Sequence, residues 1–258
     1  IEGREHGWPL WTWLCLVAAV PLLLGFVGYQ RRLARRGGAP LVNLELFRQR
    51  AFGVGILTVL VYYSGMASFF LICALYLQQG RGMSALQAGL MLVPQGIGFM
   101  AASMMAGKLA ARLGRQVLAV GGAILAVGVV ALAATVEAIG VGGNSLELLP
   151  GLVIGGIGMG FVMAPLASIV LTGVVPQYVG AASGVLSTAL QVGNALGVAL
   201  IGVVFYGALD DRVGADRFPH AYVLSSVFLL VLALAVVALV QLLPRPPKAP
   251  AASAAAAG

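Results

Sequence analysis

Eight carboxylates, two histidines and two cysteines are the whole supply of acid–base, metal-binding and thiol chemistry in this 258-residue chain. Cys15 and Cys73 lie inside apolar runs, and His6 and His220 are far apart in polar segments. Such spacing assembles neither a disulfide framework nor a metal site. Glu45, Glu137 and Glu147 fall at the edges of apolar runs, and none of the acids sits well inside one. An ionisable side chain within such a run is the usual mark of a proton or ion path, so no proton-carrying carboxylate is visible. No paired Asp, His cluster or Ser–Lys arrangement lies within the runs either, which argues against an enzyme and calls for no cofactor or metal. Gly155-Gly156-Ile157-Gly158-Met159-Gly160 is not a phosphate loop, because no Lys-Ser or Lys-Thr adjoins it. What remains is uncharged. Tyr62, Tyr63 and Ser64 share one run, Gln95 follows Pro94 in another, and Ser183, Ser187, Gln191 and Asn194 recur at helical spacing in a third.

The elements that must position these groups follow from composition. Apolar residues make up 60% of the chain and charged residues 9%, against about 25% charged in a soluble domain. The mean hydropathy is +1.01. The basic residues are spread between long apolar runs and not gathered on one polar face, which argues against nucleic acid as a partner despite a pI near 9.9. A helix crosses the hydrocarbon core with about 20 apolar residues. Seven runs are long enough: Trp11–Tyr29, Phe52–Leu77, Ala88–Ala106, Val117–Val136, Leu148–Val174, Ala181–Tyr206 and Ala221–Leu243. None alternates polar with apolar, so the expectation is an all-α, polytopic membrane protein with seven transmembrane helices and lipid as its surroundings.

Loop charges set the expected direction. Arg31, Arg32, Arg35, Arg36, Arg48, Arg50, Lys108, Arg112, Arg115, Arg245 and Lys248 fall on one side, and Arg4, Arg81, Arg212 and Arg217 on the other. The richer side is read as cytoplasmic, which puts the N-terminus outside and the C-terminus inside. Trp8, Trp11 and Trp13 fit an interfacial belt at the outer mouth of the first span. The loop Gln30–Arg50 reads as a stop-transfer cluster followed by an interfacial helix. The tail, Pro244 to Gly258, is rich in Pro and Ala and reads as a disordered end.

Gly107-Lys108-Leu109-Ala110-Ala111-Arg112-Leu113-Gly114-Arg115 reads as a tight cytoplasmic turn bearing three cations. Its G-x-L-x-x-R-x-G pattern returns at Gly207–Gly214. The two copies sit in the second connection of successive three-span units, as an inverted repeat requires. Pro94 and Pro165 are candidates for hinges or fixed bends. Gly156/Gly160, Gly180/Gly184 and Gly193/Gly197 are candidate close-packing pairs.

Four stretches resemble one family. Gly7-Trp8-Pro9 before the first span, Pro40-Leu41-Val42-Asn43-Leu44-Glu45-Leu46-Phe47-Arg48, Ser84-Ala85-Leu86-Gln87-Ala88-Gly89 with Pro94 and Gly98, and Gly180-Ala181-Ala182-Ser183-Gly184 with Gln191-Val192-Gly193-Asn194-Ala195-Leu196-Gly197 are similar to the C-terminal part of fourteen-span major facilitator superfamily drug:proton antiporters of the EmrB/QacA branch. The resemblance implies a linker helix and basic loop over 1–50, a complete C-terminal six-helix domain of 3+3 inverted-repeat design over 51–243, and a cytoplasmic tail over 244–258. It implies a bacterial inner-membrane multidrug exporter working by alternating access, with small amphipathic or cationic drug-like substrates and protons as partners. The upstream half would be missing, and proton coupling would belong to it. The helices matching the second, third, fifth and sixth spans would face the central cavity, which makes Tyr62, Tyr63, Gln95, Phe161, Met163, Gln191 and Asn194 candidate lining residues. The competing role for the polar ones is helix–helix hydrogen bonding. The loop residues Gly107, Lys108, Arg112, Gly114 and Arg115 resemble the superfamily's G-x-L-A-D-R-x-G-R motif, but Ala111 stands at its acidic position, so the motif's carboxylate latch does not carry over. A seven-span receptor or scaffold without transport is the alternative reading of the same layout.

Overall fold

The computed structural model describes residues 49–171, 174–210, 214 and 217–243, together with positions 14, 17, 18, 21, 22, 25, 28, 29 and 32. The expected first span, the basic loop up to Arg48, the middle of the second glycine-bounded loop and the tail lie largely or wholly outside the described residues. Among the described residues there are helices and turns but no strand. Six stretches are long and apolar enough to cross a membrane: Arg50–Gly80, Ala85–Leu113, Gln116–Ile139, Ser145–Leu171, Pro176–Asp210 and Arg217–Leu242. Each covers all or most of one of the six runs expected from Phe52 onward, so the chain is a multi-pass membrane protein.

Local chemistry sets the ends of these elements. Helix α1, Arg50–Ala74, runs on into a π-helical turn, Leu75–Gly80. Helix α2, Ala85–Met91, opens with a capping box: Gln87 N–H donates to Ser84 Oγ at 3.3 Å, and Ser84 N–H donates to Gln87 Oε1 at 2.9 Å. This pair satisfies two of the amides that a helix start leaves open. The crossing then breaks at Leu92, and α3, Val93–Leu113, restarts with Pro94 in its first turn, where a missing N–H costs nothing. Helix α4, Gln116–Ile139, follows after a turn of two residues. A 3-10 turn, Ser145–Leu148, leads into α5, Leu149–Leu171; another, Pro176–Tyr178, leads into α6, Val179–Asp210. Helix α7 is Arg217–Leu242.

One boundary differs from the sequence reading. Gly107 to Leu113 are helical, and the turn is confined to Gly114, with φ 57°, and Arg115. Leu, Ala and Arg favour helix strongly enough to carry a single interior Gly, which costs only about 1 kcal/mol.

Helix α5 packs on α3 and α4, α4 on α7, α7 on α1 and α6, and α1 on α6. Small residues let the backbones meet. Gly156 lies against the Gln95 carbonyl and Gly160 against that of Phe99, joining α5 to α3. Gly193 lies against the Leu60 carbonyl and Gly197 against that of Ser64, joining α6 to α1. Ser68 Oγ donates to the Gly197 carbonyl at 3.0 Å across that second contact. Gly180 and Gly184 meet nothing within 4 Å, so the third G-x-x-x-G pair is open. The core falls into two clusters, one around Tyr76, Phe205 and Tyr222, the other around Phe52, Leu118 and Val162, bridged by Met66 and Leu125.

Candidate functional site

Tyr62 and Gln95 converge on one residue of α5. Tyr62 is 2% exposed, and its hydroxyl donates to the Met159 carbonyl at 3.0 Å. Gln95 is 3% exposed, and its Nε2 donates to Met159 Sδ at 3.2 Å. Pro94 opens α3 one residue earlier, and glycine at 156 lets the Gln95 backbone come flush against α5. Three crossings are thus tied at a single depth by α1, α3 and α5. The sequence analysis placed Met159 only within a glycine-rich run. Its role as the shared acceptor depends on the register of three helices, and no local pattern signals that.

The cluster is not fully satisfied. Gln95 Oε1 is buried without a hydrogen-bond partner. A thioether is a weak acceptor, so this amide makes one weak bond and offers one free oxygen. Asn194 on α6 has its Oδ1 buried and unpartnered too. It adjoins Gly193, at the point where α6 touches Leu60 and Tyr63 of α1. Tyr63 is buried and meets Tyr62 edge to face, with ring centroids 5.3 Å apart.

The remaining lining candidates separate from this buried group. Gln191 and Met163 are exposed, and Phe161 is half-buried. Ser187 and Thr188 are exposed on the same side of α6 as Gln191, whereas Ser183 is half-buried. Pro165 is buried inside α5, and the Ser168 hydroxyl donates to its carbonyl at 2.8 Å. A cavity between α1, α4, α5 and α7, lined by Tyr62, Met66, Phe69, Leu125 and Met159 among others, has room for about one water. A drug-sized pocket needs about 300–1,000 Å³. This cavity is therefore too small for such a ligand.

Among the described residues no acidic side chain is buried: Glu137, Glu147 and Asp210 are exposed. No group of three or more His, Cys, Asp and Glu is gathered there as a metal would require. At the α3–α4 turn Lys108 and Arg112 are exposed, and both lie in the last turns of α3, where cations favour the carbonyl end of a helix. Arg115 is half-buried, and its Nε is buried without a partner. The other end of α4 and α7 is not involved here; near the turn, Gln116 and Gln241 exchange two amide hydrogen bonds, 3.1 and 3.2 Å, which tie α4 to α7.

Residues 5–198 match the family described as Major Facilitator Superfamily. A probable actinorhodin transporter of Streptomyces coelicolor is 37% identical over 217 residues, covering 84% of this chain and 38% of the relative. A multidrug resistance protein B homolog of Mycobacterium tuberculosis is 34% identical, covering 64% of the chain and 30% of the relative. The puromycin resistance protein pur8 of Streptomyces alboniger is 31% identical, covering 90% and 48%. The chain thus spans less than half the length of these relatives.

Proposed function

Since the chain belongs to the Major Facilitator Superfamily, we propose that it is one six-helix domain of a drug exporter that works by alternating access in a bacterial plasma membrane. The observation that carries the reading is Gln191. It is exposed near the middle of Pro176–Asp210, a stretch apolar enough to span a membrane, with Ser187 and Thr188 beside it. A polar side chain at that depth is costly against lipid and belongs against a water-filled path or another part of the protein. The relatives' names, as transporters and resistance proteins, favour small drug-like molecules as cargo over a receptor or scaffold role.

The finer reading is the C-terminal half of a fourteen-span, proton-coupled antiporter of the EmrB/QacA type. Two features support it. The contacts pair up as two inverted three-helix units would: α3 on α5 answers α6 on α1, α4 on α5 answers α7 on α1, and α4 meets α7 between them. The three described acids, Glu137, Glu147 and Asp210, are all exposed, which fits proton binding elsewhere in the transporter. In this reading Gln191, Met163, Phe161 and Asn194 line the cargo path. Tyr62, Tyr63 and Gln95 sit behind it and set the angle of α5, with Pro94 and Pro165 as fixed bends.

The test is reconstitution in vesicles with an imposed proton gradient. The chain alone is expected to move no cationic dye above empty vesicles, and co-expression with a complementary six-helix half that completes the transporter restores movement. In that complete protein Gln191→Leu lowers dye export several-fold at unchanged abundance. Proton-driven export by the chain alone overturns the half-transporter reading, and full activity of Gln191→Leu overturns the placement of the path.

A further inference from the structure

The end of α1 departs from α-helical geometry at a point where one arginine reaches across to another element. Ile72, Cys73, Leu75, Tyr76 and Leu77 are all buried. On a regular α-helix 72, 73 and 76 share a face, while 75 and 77 point about 100° to either side of 76. π-helical bonding over Leu75–Gly80 narrows the angle between successive residues and turns Leu75 and Leu77 part of the way toward the Tyr76 face, and all three are buried. Arg81 closes the widened turn, its backbone N–H donating to the Tyr76 carbonyl at 2.9 Å.

The Arg81 side chain then leaves its own helix. Nη1 donates to the Tyr76 hydroxyl and to the Gly140 carbonyl, each at 3.1 Å, and Nη2 donates to the Gly143 carbonyl. The Tyr76 hydroxyl donates to the same Gly140 carbonyl at 2.6 Å. Gly140 ends α4 with φ 56°, a conformation that glycine adopts without penalty. The Tyr76 ring packs on Tyr222 of α7, centroids 5.3 Å apart, and Gly80 lies against Phe218 of α7. One guanidinium therefore joins the widened turn to the α4–α5 connection, with α7 packed behind it. A planar fork can span two carbonyls where the point charge of a lysine cannot.

We propose that Arg81 and the π-helical turn form a register latch. With the guanidinium seated on the Gly140 and Gly143 carbonyls, the turn is wide and Leu75 to Leu77 all face inward. When the guanidinium leaves, the turn reverts to α-helical bonding. The residues beyond Tyr76 then rotate against α4 and α7, Leu77 turning outward and Gln79 inward. Short π-helical segments are rare and frequently mark functional sites, and a turn with two bonding registers would be a two-state element of the kind such sites use. The latch does not depend on what the protein carries, so its test stands apart from the transport reading.

The test is thiol labelling in nanodiscs of the chain with Cys15→Ala and Cys73→Ala. Single cysteines replace Leu77 and Gln79. With Arg81 intact, Leu77→Cys is protected and Gln79→Cys labels quickly. Arg81→Gln is expected to reverse the pair, the Leu77→Cys rate rising about tenfold while the Gln79→Cys rate falls. An unchanged pattern, or a uniform rise at both positions, overturns the latch. Should Arg81→Gln fail to fold, Arg81→Lys and Tyr76→Phe decide the matter. Each removes part of the seat and leaves the rest. A smaller crossed change in either supports the latch, and an unchanged or uniform response in both overturns it.

Discussion

Replacing Gly197 by alanine, and separately Gly184 by alanine, puts the same methyl group on the same helix in two G-x-x-x-G pairs. The structure gives the two substitutions different outcomes. A Cβ at Gly197 collides with the Ser64 carbonyl of α1, which is backbone and cannot rotate away. The helices must separate there, and overpacking of this kind costs about 1–3 kcal/mol. Separation also strains the bond from Ser68 Oγ to the Gly197 carbonyl, worth about 0.6 kcal/mol for an interhelical bond in a membrane protein. Alanine's higher helix propensity returns at most about 1 kcal/mol, and less where the unfolded reference remains helical in detergent. The net expectation for Gly197→Ala is a loss of about 1–3 kcal/mol. Gly184 has nothing within 4 Å, so Gly184→Ala should fall between neutral and a gain of about 1 kcal/mol. Both are measured by titrating the purified chain from mild detergent into dodecyl sulfate and following helicity to the midpoint. Equal destabilisation by the two, or a neutral Gly197→Ala, refutes the assignment of the α1–α6 contact to these glycines.

Three further outcomes are expected. Cysteine at Gly38 and at Gly214, in a chain lacking Cys15 and Cys73, should label from the cytoplasmic and external sides respectively, and labelling of both from one side rejects the orientation read from loop charges. Met159→Ala should lower stability by about 2–5 kcal/mol, because it empties a buried position and strands Gln95 Nε2. Met159→Leu strands the same nitrogen but keeps the volume, so it should cost less than the alanine variant in the same titration, and an alanine variant no worse than the leucine one contradicts the packing argument. Ser84→Ala removes half of the capping box and should cost about 0.5–2 kcal/mol; faster amide exchange over residues 85–88 is the direct readout, and unchanged exchange rules the cap out as a contributor.

Membrane crossings are legible from the chain because a local quantity sets them. The hydrocarbon core needs about 20 apolar residues in one run, and the six runs from Phe52 onward supply that length wherever the structure describes them. Capping is equally local, since Ser84 and Gln87 are three residues apart. The boundary at Gly107 differs from the sequence expectation for the opposite reason. One glycine reads as a turn signal, yet the helix-forming residues around it and the packing of α3 on α5 carry the helix through to Leu113.

The polar groups show the limit more sharply. Tyr62, Gln95, Gln191 and Asn194 are conspicuous in apolar runs, so their residue types mark them. Their type does not say that Tyr62 and Gln95 meet at Met159 in the interior while Gln191 looks outward. That division depends on which face each helix turns to its neighbours, and the weak amphipathicity of membrane helices leaves little trace of it in sequence. By itself the sequence determined an all-helical membrane protein, the positions of its crossings and a shortage of buried charge, because hydration and hydrophobic length act residue by residue. Only the tertiary structure decided which glycine pairs are contacts, that Met159 is an acceptor for two helices, and that Arg81 holds a π-helical turn against Gly140 and Gly143, because each of these requires groups far apart in the chain to come into contact.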